Sequence, residues 1–116
     1  MTMIVTNGDT EIRFALNDSP AARSLAAQLP LTLEVRPFSN NEQTFYPPQA
    51  LDTADTPAIT SAQAGTLAYY APWADVVMFY KGFSGGSAGL YQLGEVLEGG
   101  DSIRGLQGTI TVSLEG

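Results

Sequence analysis

The stretch AYYAPWADVVMFYKGF, residues 68–83, carries Tyr69, Tyr70, Trp73, Phe79, Tyr80 and Phe83, more than half of the chain's aromatic side chains and its single tryptophan. Rings in such density do one of two things. They fill a core, or they line a pocket, where an apolar body with a polar tip grips a small molecule. Phe79, Met78 and Val77 read as core. Trp73 fits a core less well, because it follows Pro72 in a turn between two strands. Packing and a place on a pocket rim both stay open for it. The hydroxyls of Tyr69, Tyr70 and Tyr80 need partners wherever they are buried.

Other chemistries are narrower. The chain has neither histidine nor cysteine. That removes Ser-His-Asp and Cys-His catalysis, disulfides, and zinc sites built on those ligands. Any general base would be a carboxylate, Lys81 or a tyrosine. The carboxylate pairs Glu95 with Glu98 and Asp52 with Asp55 sit in turn-like contexts, and the aspartates miss the calcium-loop spacing. GFSGGSAG, residues 82–89, is glycine-rich but lacks the Lys of a phosphate loop and leads into a strand, not a helix. It reads as a hairpin loop beside the pocket. No catalytic, metal or cofactor-binding residue is assigned, and no cofactor is expected.

Several elements must position these residues. MIVTNGDTEIRFAL reads as a β-hairpin, with Asn7-Gly8 as a type I′ turn and Ile4, Thr6, Ile12, Phe14 and Leu16 in the alternating row. A helix is predicted over 20–28, capped by Ser19, with Pro20 at its first position and Ala21, Leu25 and Leu29 on one face. LTLEVRPF and QTFYP are strands around Asn40-Asn41. A long loop, 47–65, then covers something. GTLAYY and DVVMFY are apolar on both faces, the pattern of strands covered on both sides, as in a barrel with helices outside. LYQLGEVLEG is a strand with Leu90, Gln92, Gly94 and Val96 on one face. A helical turn near 101–106 precedes the closing strand TITVSLE, with Ile110, Val112 and Leu114 inward. Short strands at close spacing predict a small closed antiparallel β-barrel with two short helices, and residues 1–116 as one domain.

The net charge of −7 disfavours nucleic acid and anionic membranes as partners. The start MTMIVTNGDT lacks the features of a signal peptide, and no apolar run approaches a membrane span, so a cytoplasmic place is expected.

DSPAARSLAAQLPLTL, AGTLAYYAPWADVVMFYKGF, GLYQLGEV and TITVSLE, in this order along nearly the whole chain, resemble the bacterial cyclophilin-like domain family. The resemblance implies a cyclophilin-type barrel capped by helices. Related members joined to flavodoxin-like domains imply a possible flavodoxin-like redox partner supplied in trans, with Trp73 stacking on its flavin. Cyclophilin isomerases set an Arg beside a proline pocket, on a strand motif of an aromatic, one residue and Arg, followed by F-M-x-Q. Arg13 in EIRFALND, Arg36 in EVRPFSNN and Arg104 in SIRGLQG match none of it, so no catalytic residue carries over.

The expected function is a non-catalytic binding module for a small, partly apolar ligand or an extended peptide at the barrel mouth. Tyr69, Tyr70, Trp73, Phe83 and the 84–89 loop are its candidate pocket, and Arg13, Arg36 and Arg104 the candidates to hold a ligand carboxylate. A peptidyl-prolyl isomerase, or an accessory domain to a flavodoxin-like protein, is the alternative.

Overall fold

Alternation of side chains builds the first hairpin, but its turn lies one residue later than the sequence predicts. Strands β1 (Thr2–Asn7) and β2 (Thr10–Leu16) are joined by Gly8-Asp9, with Gly8 at φ +60°. Asn7 opposes Thr10, which places Val5 opposite Ile12 and Met3 opposite Phe14. The inward row is therefore Met3, Val5, Ile12 and Phe14, all fully buried, while Ile4 and Thr6 face outward. A one-residue shift of a turn exchanges the faces of a strand. The computed structural model describes residues 1–86 and 88–115.

The remaining elements are α1 (Pro20–Ala26), β3 (Leu31–Glu34), β4 (Arg36–Phe38), β5 (Glu42–Phe45), β6 (Thr66–Tyr70), β7 (Asp75–Phe79), β8 (Leu90–Glu98), a 3-10 turn (Gly100–Gly105) and β9 (Thr109–Leu114). All nine strands join one antiparallel sheet in the order β3-β9-β1-β2-β8-β6-β7-β5-β4. The two edges of this sheet, β3 and β4, are consecutive in the chain and separated by Val35 alone. One strand bent at Val35 thus supplies both edges and rolls the sheet into a nearly closed barrel, which leaves little edge exposed. Val35 is buried at the corner, and its N–H donates to the Gly108 carbonyl at 2.9 Å.

The interior is filled from every strand except β4, whose three residues are exposed, and from both helical segments. Ser19 caps α1 by accepting the Ala22 N–H at 3.1 Å, and Pro20 takes the first helical position, where no N–H is needed. The helix then buries Ala21, Ala22, Leu25 and Ala26 in the barrel core, as a stopper. Full burial of Leu25 alone contributes about 1.5–3 kcal/mol. Ile103 of the 3-10 turn joins the same core. Leu114, predicted inward, lies at the barrel rim and is 37% exposed.

β8 is not a simple alternating strand. Leu67 opposes Gly94, yet Ala68 opposes Gln92, so Leu93 is an extra residue in a bulge. The bulge switches faces: Leu90 points outward, whereas Leu93 and Val96 belong with the interior. Leu90 and Val96, predicted on one face, are on two. Gly94 is where β8 presses on β2, since a Cβ there would stand 1.9 Å from the Ala15 carbonyl oxygen.

The outside of β6, β7 and β8 is covered, but by loops and not by the helices that the apolar faces led one to expect. Ile59 donates its N–H to Leu90, Ala62 and Phe83 exchange two backbone hydrogen bonds of 3.0 Å, and Ile59, Ala62 and Phe83 pack on Ala68, Val77, Phe79 and Leu90. No helix among the described residues is long and apolar enough to cross a membrane.

Candidate functional site

The same loops stop short of one end of the outer face, and there a groove opens. Its floor comes from strand register. Asp75, Val77 and Phe79 form the outward row of β7; Tyr70 of β6 opposes Asp75, Glu42 of β5 opposes Phe79, and Phe38 of β4 opposes Glu42. The turn after β6 raises Trp73 over this floor. The Trp73 N–H donates to the Tyr70 carbonyl at 3.3 Å, and Ala74 takes φ +54° to return the chain into β7. Trp73 meets Phe38 edge to face at 5.0 Å and Tyr70 edge to face at 5.5 Å. On the far wall Phe79 stacks on Phe83 at 5.3 Å. The cavity between them is about 210 Å³.

Trp73 and Phe38 stay 49% and 44% exposed despite their mutual contact. Large rings left half in water at the lip of a cavity have surface still to bury.

Two carboxyls line this apolar space. Asp75 is 3% exposed, and its Oδ1 has no hydrogen-bond partner. Burial pushes its carboxyl up to about 6, against the opposing effect of a hydrogen bond from its own backbone. Burial, and then the charge of Asp75, push Glu42 up to about 7. Both shifts favour the neutral acid, because burial penalises the charged form and no ion pair to either group is present among the described residues. Such a pair can accept a cation or move a proton. Among the described lining residues no amine or aliphatic hydroxyl stands ready as a nucleophile, and the Tyr70 phenol is the one hydroxyl.

Of the residues singled out in the sequence, the structure brings Tyr70, Trp73 and Phe83 together in the groove. Tyr69 points the opposite way, as the neighbour of Tyr70 on a strand must; it is buried in the barrel and its hydroxyl accepts the Leu51 N–H at 3.2 Å. Arg13 is paired with Glu11 at 2.9 Å and with Glu115. Arg104 lies over the Tyr80 ring at 5.2 Å, beside Asp101 in a separate cavity. Arg36 is exposed on β4 and does not line the groove. The groove lies on the barrel's outer face, not at its mouth. The expected 84–89 loop includes Ser87, which lies outside the described residues; Gly86 lines the groove.

Asp75, Glu42 and Phe38 escaped sequence reasoning. For Asp75 a signal existed. It precedes Val77 and Phe79 by two and four residues, so it shares the outward row of a strand read as apolar on both faces. An acid there has no solvent to face unless the cover has a gap.

Comparison with known proteins adds the family. The chain is similar to a hypothetical protein from Archaeoglobus fulgidus solved in solution, with a TM-score of 0.74 at 16% identity over 97% of this chain and 93% of that one. At that identity the likeness is one of fold. No curated protein matches. A profile described as the cyclophilin-like family matches residues 5–115. With the rolled antiparallel barrel and its two helical segments, this match establishes that the chain belongs to the cyclophilin-like family.

Proposed function

We propose that this protein is a non-catalytic binding module whose outer-face groove takes a small, partly apolar ligand. The observation that carries the reading is the groove itself: half-exposed Trp73 and Phe38 over a floor of Val77 and Phe79, with buried Asp75 in the wall. Apolar walls with a few placed polar groups are the usual make-up of small-molecule sites. Size narrows the ligand. A closed apolar cavity of ~150 Å³ admits a benzene ring. At about 210 Å³ this groove suits one ring with a short tail better than an extended peptide.

The isomerase alternative needs a guanidinium beside the amide that twists. No described residue lining the groove is basic, which favours binding over that reaction. The accessory-domain alternative places the flavin of a flavodoxin-like partner against Trp73.

Trp73 is the chain's one tryptophan, so its fluorescence reports the groove. Titration with single-ring compounds should give a saturable change in the high-micromolar to millimolar range, on the order of −4 to −6 kcal/mol. Free flavin belongs in the same series. A flat response to every compound would remove the binding reading.

A further inference from the structure

We infer that the groove selects a small organic cation, an ammonium group on a single-ring or short alkyl body, with Asp75 and Glu42 receiving the charge and the aromatic walls receiving the body. The inference rests on the binding reading above and names the class of ligand for that site.

Three independent features point to a cation. First, Asp75 is buried with an oxygen, Oδ1, that has no hydrogen-bond partner among the described residues. Buried polar atoms are nearly always partnered, and an orphan acceptor at the wall of a cavity calls for a donor from outside. Second, the protein supplies no cation of its own. Arg13 is engaged by Glu11 and Glu115, Arg23 by Asp18, and Arg104 by the Tyr80 ring; Arg36 and Lys81 are exposed, and none of the five lines the groove. Third, the walls are ring faces and edges: Phe38, Tyr70, Trp73, Phe79 and Phe83. Aromatic faces attract an ammonium through their quadrupoles, most strongly when water is excluded, and indole does so best. The chain's net charge of −7 also raises the local concentration of cations.

Rival ligands fit worse. An anion would meet two carboxyls and no counter-charge. A neutral ring would fill the walls and leave the Asp75 oxygen unmet unless it brought a hydroxyl, and a neutral donor is a weaker partner for a carboxylate than an ammonium is.

The test is a charge series on the full chain at pH 8 and low salt, where both carboxyls are ionised in the main. The probes are phenethylammonium, 2-phenylethanol and 3-phenylpropionate, followed by calorimetry and Trp73 fluorescence. Phenethylammonium should bind ~10-fold or more tightly than 2-phenylethanol, and 3-phenylpropionate should bind least. The preference should shrink with added salt. Asp75→Asn should erase most of the difference between ammonium and alcohol, and Glu42→Gln part of it. Equal affinity for ammonium and alcohol overturns the inference and leaves the binding reading standing, as does tighter binding of the carboxylate. Binding by none of the three removes both. An undiminished preference in Asp75→Asn also overturns the assignment. If that variant does not fold, Glu42→Gln and the salt dependence of the wild type decide by the same criterion.

Discussion

The two faces of β7 make a comparison within five residues. Val76 and Met78 point into the barrel core and are fully buried. Its buried amide, Gln43, donates to the Arg104 and Leu106 carbonyls at 3.0 and 3.1 Å, although its Oε1 has no partner among the described residues. Asp75, Val77 and Phe79 point outward to a surface that is apolar but incompletely covered, where a carboxylate oxygen has no partner and rings stand half in water. The inner face is organised to hold the fold. The outer face keeps features that cost stability, a cost that the proposed binding role accounts for. Mutations on the two faces should therefore differ in sign as well as size.

The largest effect is expected inside. Phe14 is fully buried among strands from both halves of the barrel, and Phe14→Ala should lower unfolding free energy by about 3–5 kcal/mol in denaturant titration. Next comes Gly94→Ala. A methyl group would have to occupy space 1.9 Å from the Ala15 oxygen, which is backbone and has little room to yield. Overpacking of this kind costs on the order of 1–3 kcal/mol, and β2 and β8 should lose amide-exchange protection first.

On the groove side the expected sign reverses. Asp75 and Glu42 hold their protons more tightly when folded than unfolded, with folded values of about 6 and about 7 against 3.8 and 4.5. The folded state therefore binds the extra protons between those limits. The resulting stability is fully present below about pH 4 and is lost as pH rises through 6 and 7. The ionisable groups that face Asp75 across the groove are Glu42 on β5 and Tyr70 on β6; the remaining walls are apolar or aromatic. Both carboxyls keep some contact with solvent through the open groove, so screening reduces the loss to about 1–2 kcal/mol for the pair. Denaturation midpoints should fall between pH 5 and pH 8, and Asp75→Asn should flatten that slope. A midpoint that rises over this interval would mean that an unseen cation already pairs with Asp75. The smallest effect is expected for Trp73→Ala, which removes a half-exposed ring on a turn and should change stability by less than about 1 kcal/mol while removing the aromatic lip of the groove.

Legibility in the sequence divides along the same line. The barrel, the capped helix and the two faces of β6 and β7 follow from period-two alternation, a Ser-Pro start and glycine turns. These are local signals, so the hairpin, the helix and the double-sided burial of β6 and β7 could be read directly, whereas the order of strands in the sheet could not. Where the reading slipped, one residue was responsible: a turn at Gly8-Asp9 moved Ile4 outward, and the bulge at Leu93 separated Leu90 from Val96. The aromatic part of the groove was visible as a cluster, with Tyr70, Trp73 and Phe83 grouped as the structure brings them together and Tyr69, on the opposite face of its strand, wrongly added to them. The acidic part was not. Whether Asp75 meets water, a cation or a loop depends on how far the 58–63 and 83–86 segments reach, and that is set by contacts distant in sequence. The arginines misled for a similar reason, since their partners Glu115 and Tyr80 are brought to them only by the closed barrel.

The central claim is that ligand recognition belongs to the outer face and fold maintenance to the inner one. It is tested most directly by mapping amide and indole resonance shifts of the full chain during titration with phenethylammonium. Saturable shifts are expected at the Trp73 indole and at Phe38, Glu42, Tyr70, Asp75 and Phe83, with Met3, Ile12, Phe14 and Leu25 unmoved. Shifts centred on the barrel interior or on the Arg104–Tyr80 cavity, or none at all, would contradict it.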